Sequence, residues 1–229
     1  MEQELYVPLR KSFFETSADL SPKEMRTLVL LLSYRDYFRI YEVEVAKKFN
    51  LSRQTIGSRF KKLMENEYLR VNNDRWERTP KAIKYRAIIG GAIKNKNFTR
   101  FKLDFVLSED LNDYDWLVLS VILSNTKEYK NFATTIRETL HIPESKRSTL
   151  TKVADRLIEK ELIVENKENG EVYYIATDKA WENVIKIDRS EYMSKEEKQE
   201  VQKQQALRSV DVYIAKQQAP VKKLMEFEY

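Results

Sequence analysis

Residues 45–71, VAKKFNLSRQTIGSRFKKLMENEYLRV, decide how this chain folds. Val45, Ala46 and Phe49 fall on one side of a helix over 41–49, and Asn50-Leu51-Ser52 ends it in a short turn. Ser52 is a good N-cap for a helix over 53–65, because its hydroxyl can accept from a free N–H of the first turn. Ile56, Phe60 and Leu63, spaced i, i+4, i+7, form the inner face of that helix. After Glu67 the segment 68–71 reads as a strand, 72–74 as a turn and 75–78 as the returning strand. Upstream, Leu20-Ser21-Pro22-Lys23-Glu24 opens another helix. Ser21 is its cap, Pro22 its first residue and Glu24 the partner in a capping box. Met25, Leu28, Val29, Leu31 and Leu32 follow at helical spacing, so the order is helix, helix, turn, helix, hairpin.

The same order recurs about ninety residues later, around 136–164, IRETLHIPESKRSTLTKVADRLIEKELIV. Asn112 can cap a helix over 114–123 that carries Trp116, Leu117, Leu119 and Val121. A second helix spans 132–140, residues 141–144 turn, and a third helix over 145–160 buries Leu150, Val153 and Leu157. Residues 162–164 and 172–175 form a hairpin through Lys167-Glu168-Asn169-Gly170, whose Asn-Gly pair is a strong hairpin signal. The duplication is one of architecture, with little residue identity. Between the copies, residues 79–102 begin with Thr79 as a cap and Pro80 at the first helical position, which predicts a connecting helix that weakens at Gly90-Gly91. From Asp188 the chain is helix-prone through Gln218, with Ser194 and Glu197 as a capping box. Its apolar positions Val201, Leu207, Val210 and Ile214 are sparse, which leaves three roles open: covering a second copy, covering its own chain, or disorder. The expected fold is mainly α with small β-hairpin wings: two winged helix-turn-helix domains (1–79 and 104–187), a basic connector (80–103) and a C-terminal helical tail (188–229).

The 229 residues hold no cysteine and one histidine, so disulfides, thiolate chemistry and a structural zinc site are not expected. No run of about 18 apolar residues is present and the first fourteen residues have no apolar signal core, which points to a cytoplasmic protein without membrane contact. The net charge of +5 is unevenly spread, with a net of +9 over residues 1–100 and −4 over 101–229. Residues 45–102 alone hold 16 basic and 4 acidic side chains, and no acid occurs between Arg78 and Leu103. A positive half joined to a slightly negative one points to nucleic acid on one side, against the plainer reading of a solvated basic face.

A helix-turn-helix places its last helix in the major groove, where side chains reach base edges. With Ile56, Phe60 and Leu63 inward, Gln54, Ser58 and Lys61 point outward, flanked by Thr55, Gly57 and Lys62. Gln54 can make a bidentate contact to adenine, Arg53 can reach guanine or phosphate, and Ser52 leaves backbone N–H groups for a phosphate. Arg59 joins this set, as do Arg70, Arg75 and Arg78 of the wing and Lys81, Lys84 and Arg86 of the connector. The second copy offers Lys146, Arg147, Ser148, Thr151 and Lys152. Its wing holds Glu165, Glu168 and Glu171 against Lys167, so this copy either inserts its helix alone or serves as an assembly surface. Gly57, costly in a helix by about 1 kcal/mol, is either merely tolerated or kept for close approach to a surface. Trp76 is either a wing-tip contact or a packed anchor. Nothing points to catalysis, a cofactor or a metal. His141 is a lone turn residue, Gly90-Gly91 lacks a following Lys-Ser or Lys-Thr, and Asp113 and Asp115 read as ordinary helix-start carboxylates.

Residues 51–71, LSRQTIGSRFKKLMENEYLRV, resemble the recognition helix and wing of bacterial winged helix-turn-helix proteins. With residues 6–36, YVPLRKSFFETSADLSPKEMRTLVLLLSYRD, they are similar to the N-terminal domains of plasmid replication initiators and of phage replication or regulatory proteins of low-GC Gram-positive bacteria. The second copy, LNDYDWLVLSVILSN (111–125) with residues 144–185, resembles MarR-like and staphylococcal accessory-regulator-like winged helices. It departs from them at the wing, where Glu168-Asn169-Gly170-Glu171 replaces the usual Asp-Arg pair. The resemblance implies a duplex-DNA-binding protein, foremost a transcriptional regulator acting by occupancy as a homodimer. The alternative is a plasmid or phage replication initiator that reads repeated origin sites and recruits host replication or transcription proteins. A third reading, from another class, is a protein-interaction adaptor that does not touch DNA.

Overall fold

The computed structural model describes residues 6–34, 40–73, 75–86, 98–125, 129–130, 132–168 and 170–185, all within one compact unit, Met1–Lys186. The first half runs β1 (Tyr6–Arg10), α1 (Ser12–Thr16), α2 (Pro22–Leu32), α3 (Glu42–Lys48), α4 (Arg53–Glu65), β2 (Leu69–Asn72), β3 (Arg75–Arg78) and α5 (Pro80–Ile83). The second repeats it as β4 (Phe98–Lys102), α6 (Leu103–Leu107), α7 (Asp113–Asn125), β5 (Tyr129–Lys130), α8 (Phe132–Thr139), a 3-10 turn Glu144–Lys146, α9 (Arg147–Glu159), β6 (Ile163–Glu168), β7 (Glu171–Ala176) and α10 (Asp178–Trp181). The architecture is helical with small antiparallel hairpins.

The local signals act as chemistry requires. The Ser21 N–H donates to Glu24 Oε2 at 3.1 Å, and both halves of the capping box are present. The Ser52 hydroxyl accepts from the Thr55 N–H at 3.1 Å, and Asn112 Oδ1 accepts from the N–H groups of Tyr114 and Asp115, both at 3.0 Å. In the β6–β7 hairpin Gly170 takes φ +81°, the left-handed conformation an Asn-Gly turn needs.

The duplication reaches individual hydrogen bonds. In the turn before α4, Asn50 is left-handed and the Leu51 N–H donates to Ala46 O at 2.9 Å. Before α9, His141 is left-handed and the Ile142 N–H donates to Arg137 O at 2.9 Å. The Thr79 hydroxyl donates to Glu67 O and caps α5, as the Thr177 hydroxyl donates to Glu161 O and caps α10. Even the third strand recurs: β5 pairs with β7, and Ile40 forms a single bridge to Trp76 of β3.

Two elements join the halves. Strands β1 and β4 are equivalent and pair antiparallel, Val7 with Phe101, Pro8 with Arg100 and Leu9 with Thr99. Exchanging each residue for its equivalent maps this register onto itself about Pro8 and Arg100, so the pairing obeys a local two-fold. The flanking bridges do the same, Leu9 with Arg86 and Phe101 with Val184. Helices α2 and α7, also equivalent, pack against each other in a single core. Phe14, Phe101, Phe105 and Trp116 run through it as successive ring contacts with centroids 5.5–6.4 Å apart.

The connector differs from expectation. Its helix is the single turn α5, and Phe98–Lys102 is a strand because Phe101 is buried against Phe14 while the backbone pairs with β1. Gly90-Gly91 and the tail at 188–229 lie outside the described residues.

Candidate nucleic-acid interface

Helix α4 has two faces. Ile56, Phe60 and Leu63 are fully buried, whereas Ser52, Arg53, Gln54, Thr55, Ser58, Lys61 and Lys62 are exposed. A groove of about 580 Å³ runs beside it, lined by Lys23, Gln54, Lys61 and Lys62 together with the carboxylates Glu24 and Glu65. The Ser58 hydroxyl donates to Gln54 O at 3.1 Å, which leaves its oxygen as an acceptor. Lys62 Nζ sits 2.6 Å from Glu65, and this hydrogen bond raises the lysine pKa and lowers the carboxyl pKa, so both stay charged at neutral pH. Arg53 Nε donates to Glu42 Oε2 at 3.3 Å, and Glu42 belongs to α3.

The β2–β3 hairpin is fixed to this surface by Trp76. Its ring meets Phe60 edge-on at 5.2 Å, and its indole N–H donates to Glu42 Oε1 at 3.2 Å. Of the two roles open to Trp76, the structure assigns the packed anchor. Arg70 and Arg75 are exposed on the hairpin, with Arg70 paired to Glu77 at 3.0 Å.

Four of the residues expected at DNA are engaged by the protein itself, Arg59 and Arg78 buried and Lys81 and Arg86 part-exposed. Arg59 is buried; its guanidinium donates to Lys23 O at 3.3 Å and the Thr27 hydroxyl at 3.1 Å, and it meets Asp113 at 3.3 Å. Arg78 is buried too, donating to Leu31 O at 3.1 Å and Tyr34 O at 2.6 Å. Those carbonyls lie at and just past the C-terminus of α2, where a helix leaves acceptors short of internal partners and favours a cation. Arg86 reaches the same Tyr34 O at 3.2 Å, so it serves the α2 terminus as well. Lys81 is held by Asp19 and Asn66 O, both at 2.9 Å, with its ammonium 4.3 Å from the Tyr68 ring centroid. Of the described connector cations expected at DNA, Lys84 remains exposed.

In the second half Lys146, Arg147, Ser148, Thr151 and Lys152 are all exposed on α9 and its preceding turn. Arg147 Nη1 lies 3.5 Å from Glu144. On the hairpin, Lys167 pairs with Glu165 at 3.3 Å, and the Tyr174 hydroxyl donates to Glu165 at 3.1 Å; burial and this bond raise the phenol pKa. The helix-start carboxylates do more than cap. Asp115 is buried and holds Arg156 of α9 through Nε at 3.0 Å. Asp113 bridges Arg26 at 3.2 Å and Arg59 at 3.3 Å. His141 contacts Glu15 O through Nε2 at 3.0 Å. Among the described residues no group of His, Cys, Asp or Glu could hold a metal ion, and no helix is long and apolar enough to cross a membrane.

No protein-family model and no curated protein matches the chain.

Sequence reasoning missed Glu42, which ties α3, α4 and the hairpin together. The signal was faint: a carboxylate eleven residues before an arginine, on a different helix. Gly57 lies over this carboxylate, where an added Cβ would come no closer than 3.6 Å to Glu42 Oε2, an ordinary contact. Gly57→Ala should therefore stabilise the protein by up to about 1 kcal/mol, read as a higher urea midpoint, because the helix gains a better former at no steric cost.

Proposed function

We propose that each half is a winged helix, with α4 and α9 as the recognition helices, and that the chain is a sequence-specific duplex-DNA-binding protein. The observation that carries this reading is the outer face of α4: Arg53, Gln54, Ser58 and Lys61 are exposed together beside a hairpin bearing the exposed Arg70 and Arg75. Side chains that can pair with base edges thus stand next to cations suited to phosphate. The protein acts by occupying an operator, as a transcriptional regulator, without catalysis or a cofactor. Homodimerisation through the tail is part of the proposal and rests on the sequence alone. So does a cytoplasmic location.

The test is binding to a selected duplex and to random duplex. Replacing Gln54 by Ala should weaken the first by roughly 1–3 kcal/mol and the second far less, since a lost bidentate contact removes base preference. An equal loss on both duplexes would remove α4 from the major groove. No binding to any duplex at about 50 mM salt, where electrostatic association is strong, would favour the protein-interaction adaptor. The Gly57→Ala variant, more stable than the parent, should bind duplex less tightly, because a methyl on this face keeps the backbone from the bases.

One observation favours a replication initiator as the second reading. The local two-fold within one chain gives a single molecule two recognition helices, so one copy can fill one asymmetric site without a palindrome. Arrays of direct repeats require that. Footprinting on the protein's own genetic element separates the readings: a protected palindrome at a promoter for the regulator, a ladder of direct repeats for the initiator.

A further inference from the structure

We propose that Glu42 is a positioning residue that holds Arg53 as a guanine-reading fork; this rests on the DNA-binding reading above. The carboxylate faces two ways. Oε1 accepts from the Trp76 indole N–H at 3.2 Å, and Oε2 accepts from Arg53 Nε at 3.3 Å. Its side chain is only 21% exposed, whereas Arg53 is 73% exposed. One end of the pair is therefore set in the protein and the other stands in solvent.

Which nitrogen is engaged matters. A guanidinium reads guanine by directing two parallel N–H groups at O6 and N7. Arg53 is tied through Nε, so both terminal nitrogens are without a partner among the described residues and lie at the outer end of the fork. The bond fixes the direction of a long side chain without consuming the groups that read the base. Binding then costs less rotamer entropy than it would for a free arginine. The anchor is stiff because the Trp76 ring that holds the other oxygen is itself packed edge-on against Phe60.

Gly57 completes the arrangement. The spot where its Cβ would stand lies 3.6 Å from Oε2, an ordinary contact, so the glycine faces the same carboxylate. The second half lacks this device. Its equivalent arginine, Arg147, is held through Nη1, one of the two reading nitrogens, and its partner is Glu144 in the preceding turn. Ala133 stands where Glu42 would be, at the start of α8. The asymmetry places guanine reading in the first half.

The test is a double-mutant cycle on base preference with the full chain. Sites are first selected from random duplexes with the wild-type protein, and discrimination at each position is then measured for Arg53→Ala, Glu42→Ala and the double variant. Arg53→Ala should lose roughly tenfold or more of the guanine preference at one position. Glu42→Ala should lose a comparable factor at that same position, and the double variant no more than either alone. Glu42→Gln, which keeps an acceptor and the side-chain shape, should retain part of the preference and serves if the alanine variant fails to fold. Trp76→Phe removes the other partner of Glu42 and should lower the guanine preference at that same position by a smaller factor than Glu42→Ala. The inference is overturned if Glu42→Ala and Glu42→Gln both keep the full guanine preference that Arg53→Ala abolishes, or if the two losses multiply. Failure of the underlying reading is distinct: the wild-type protein would then select no sequence at all.

Discussion

Asp113→Ala is expected to destabilise the protein by about 3 kcal/mol, among the largest losses any single substitution outside the apolar core should produce. Asp113 opens α7, yet its two partners belong to the other half: Arg26 of α2 at 3.2 Å and Arg59 of α4 at 3.3 Å. Both guanidinium groups are more than nine-tenths buried, while the carboxylate is 27% exposed. Removing a partner from a buried pair leaves charge without compensation, which costs more than the pair contributed when intact. Burial already pulls the Arg26 pKa down, and Asp113 offsets part of that penalty. The partial exposure of the carboxylate keeps the expected loss at the lower end of the range. Asp113→Asn, which keeps an acceptor but not the charge, should fall between the parent and Asp113→Ala. Urea unfolding reads both. A loss below about 1 kcal/mol for the alanine variant would mean that water reaches the two arginines and that the bridge does not couple the halves.

Arg26 shows why such a bridge escapes a sequence reading. It sits among Met25, Thr27 and Leu28 on a helix whose apolar spacing needs no arginine. Its partners include the carbonyls of Val106 and Leu111, both at 2.8 Å, eighty or more residues away. Periodicity reports which face is inward, and it placed α2, α3, α4, α8 and both hairpins within a few residues. It does not report what an inward-facing charge will meet. Arg59 was closer to legible. At 100° per residue it lies about 60° from Ile56 and about 40° beyond Leu63, just outside the arc that Phe60 and Leu63 define, so the wheel alone puts it at the core edge. Arg78 shares the inner face of β3 with the anchored Trp76, two residues away, and alternation carries the same message. In both cases charge suggested solvent and geometry overrode it. The β1–β4 pairing had no local signal at all, because two equivalent strands about ninety residues apart find each other only through the symmetry of the packed halves.

That symmetry does not account for the uneven charge. The halves share backbone hydrogen bonds at equivalent positions, so the fold does not require one to be basic and the other acidic. Charge has diverged on the surfaces that the fold leaves free: Lys61 on α4 stands where Asp155 stands on α9, and Arg70 and Arg75 occupy a hairpin whose counterpart carries Glu165. The cations on the outer face of α4 and its hairpin are what the proposed DNA contact of the first half would use.

Replacing Lys61, Arg70, Arg75 and Lys84 together by Ala should flatten the salt dependence of duplex binding while leaving the urea midpoint close to that of the parent. All four are exposed, and truncating exposed cations changes stability little. Each phosphate contact contributes about 0.9 to the slope of log affinity against log salt, so the slope should fall by about 2 to 4. Arg78→Ala should behave in the opposite way. It removes a buried donor from the Leu31 and Tyr34 carbonyls, leaving them the Tyr34 N–H and Arg86, at a cost of about 1–3 kcal/mol, and the surviving folded protein should keep the parental slope. The two variants therefore separate the cations that hold the fold from those that face the nucleic acid. An unchanged slope in the fourfold variant would place the duplex on another surface, and a flattened slope with unchanged stability in Arg78→Ala would mean that this arginine leaves the α2 terminus to reach phosphate.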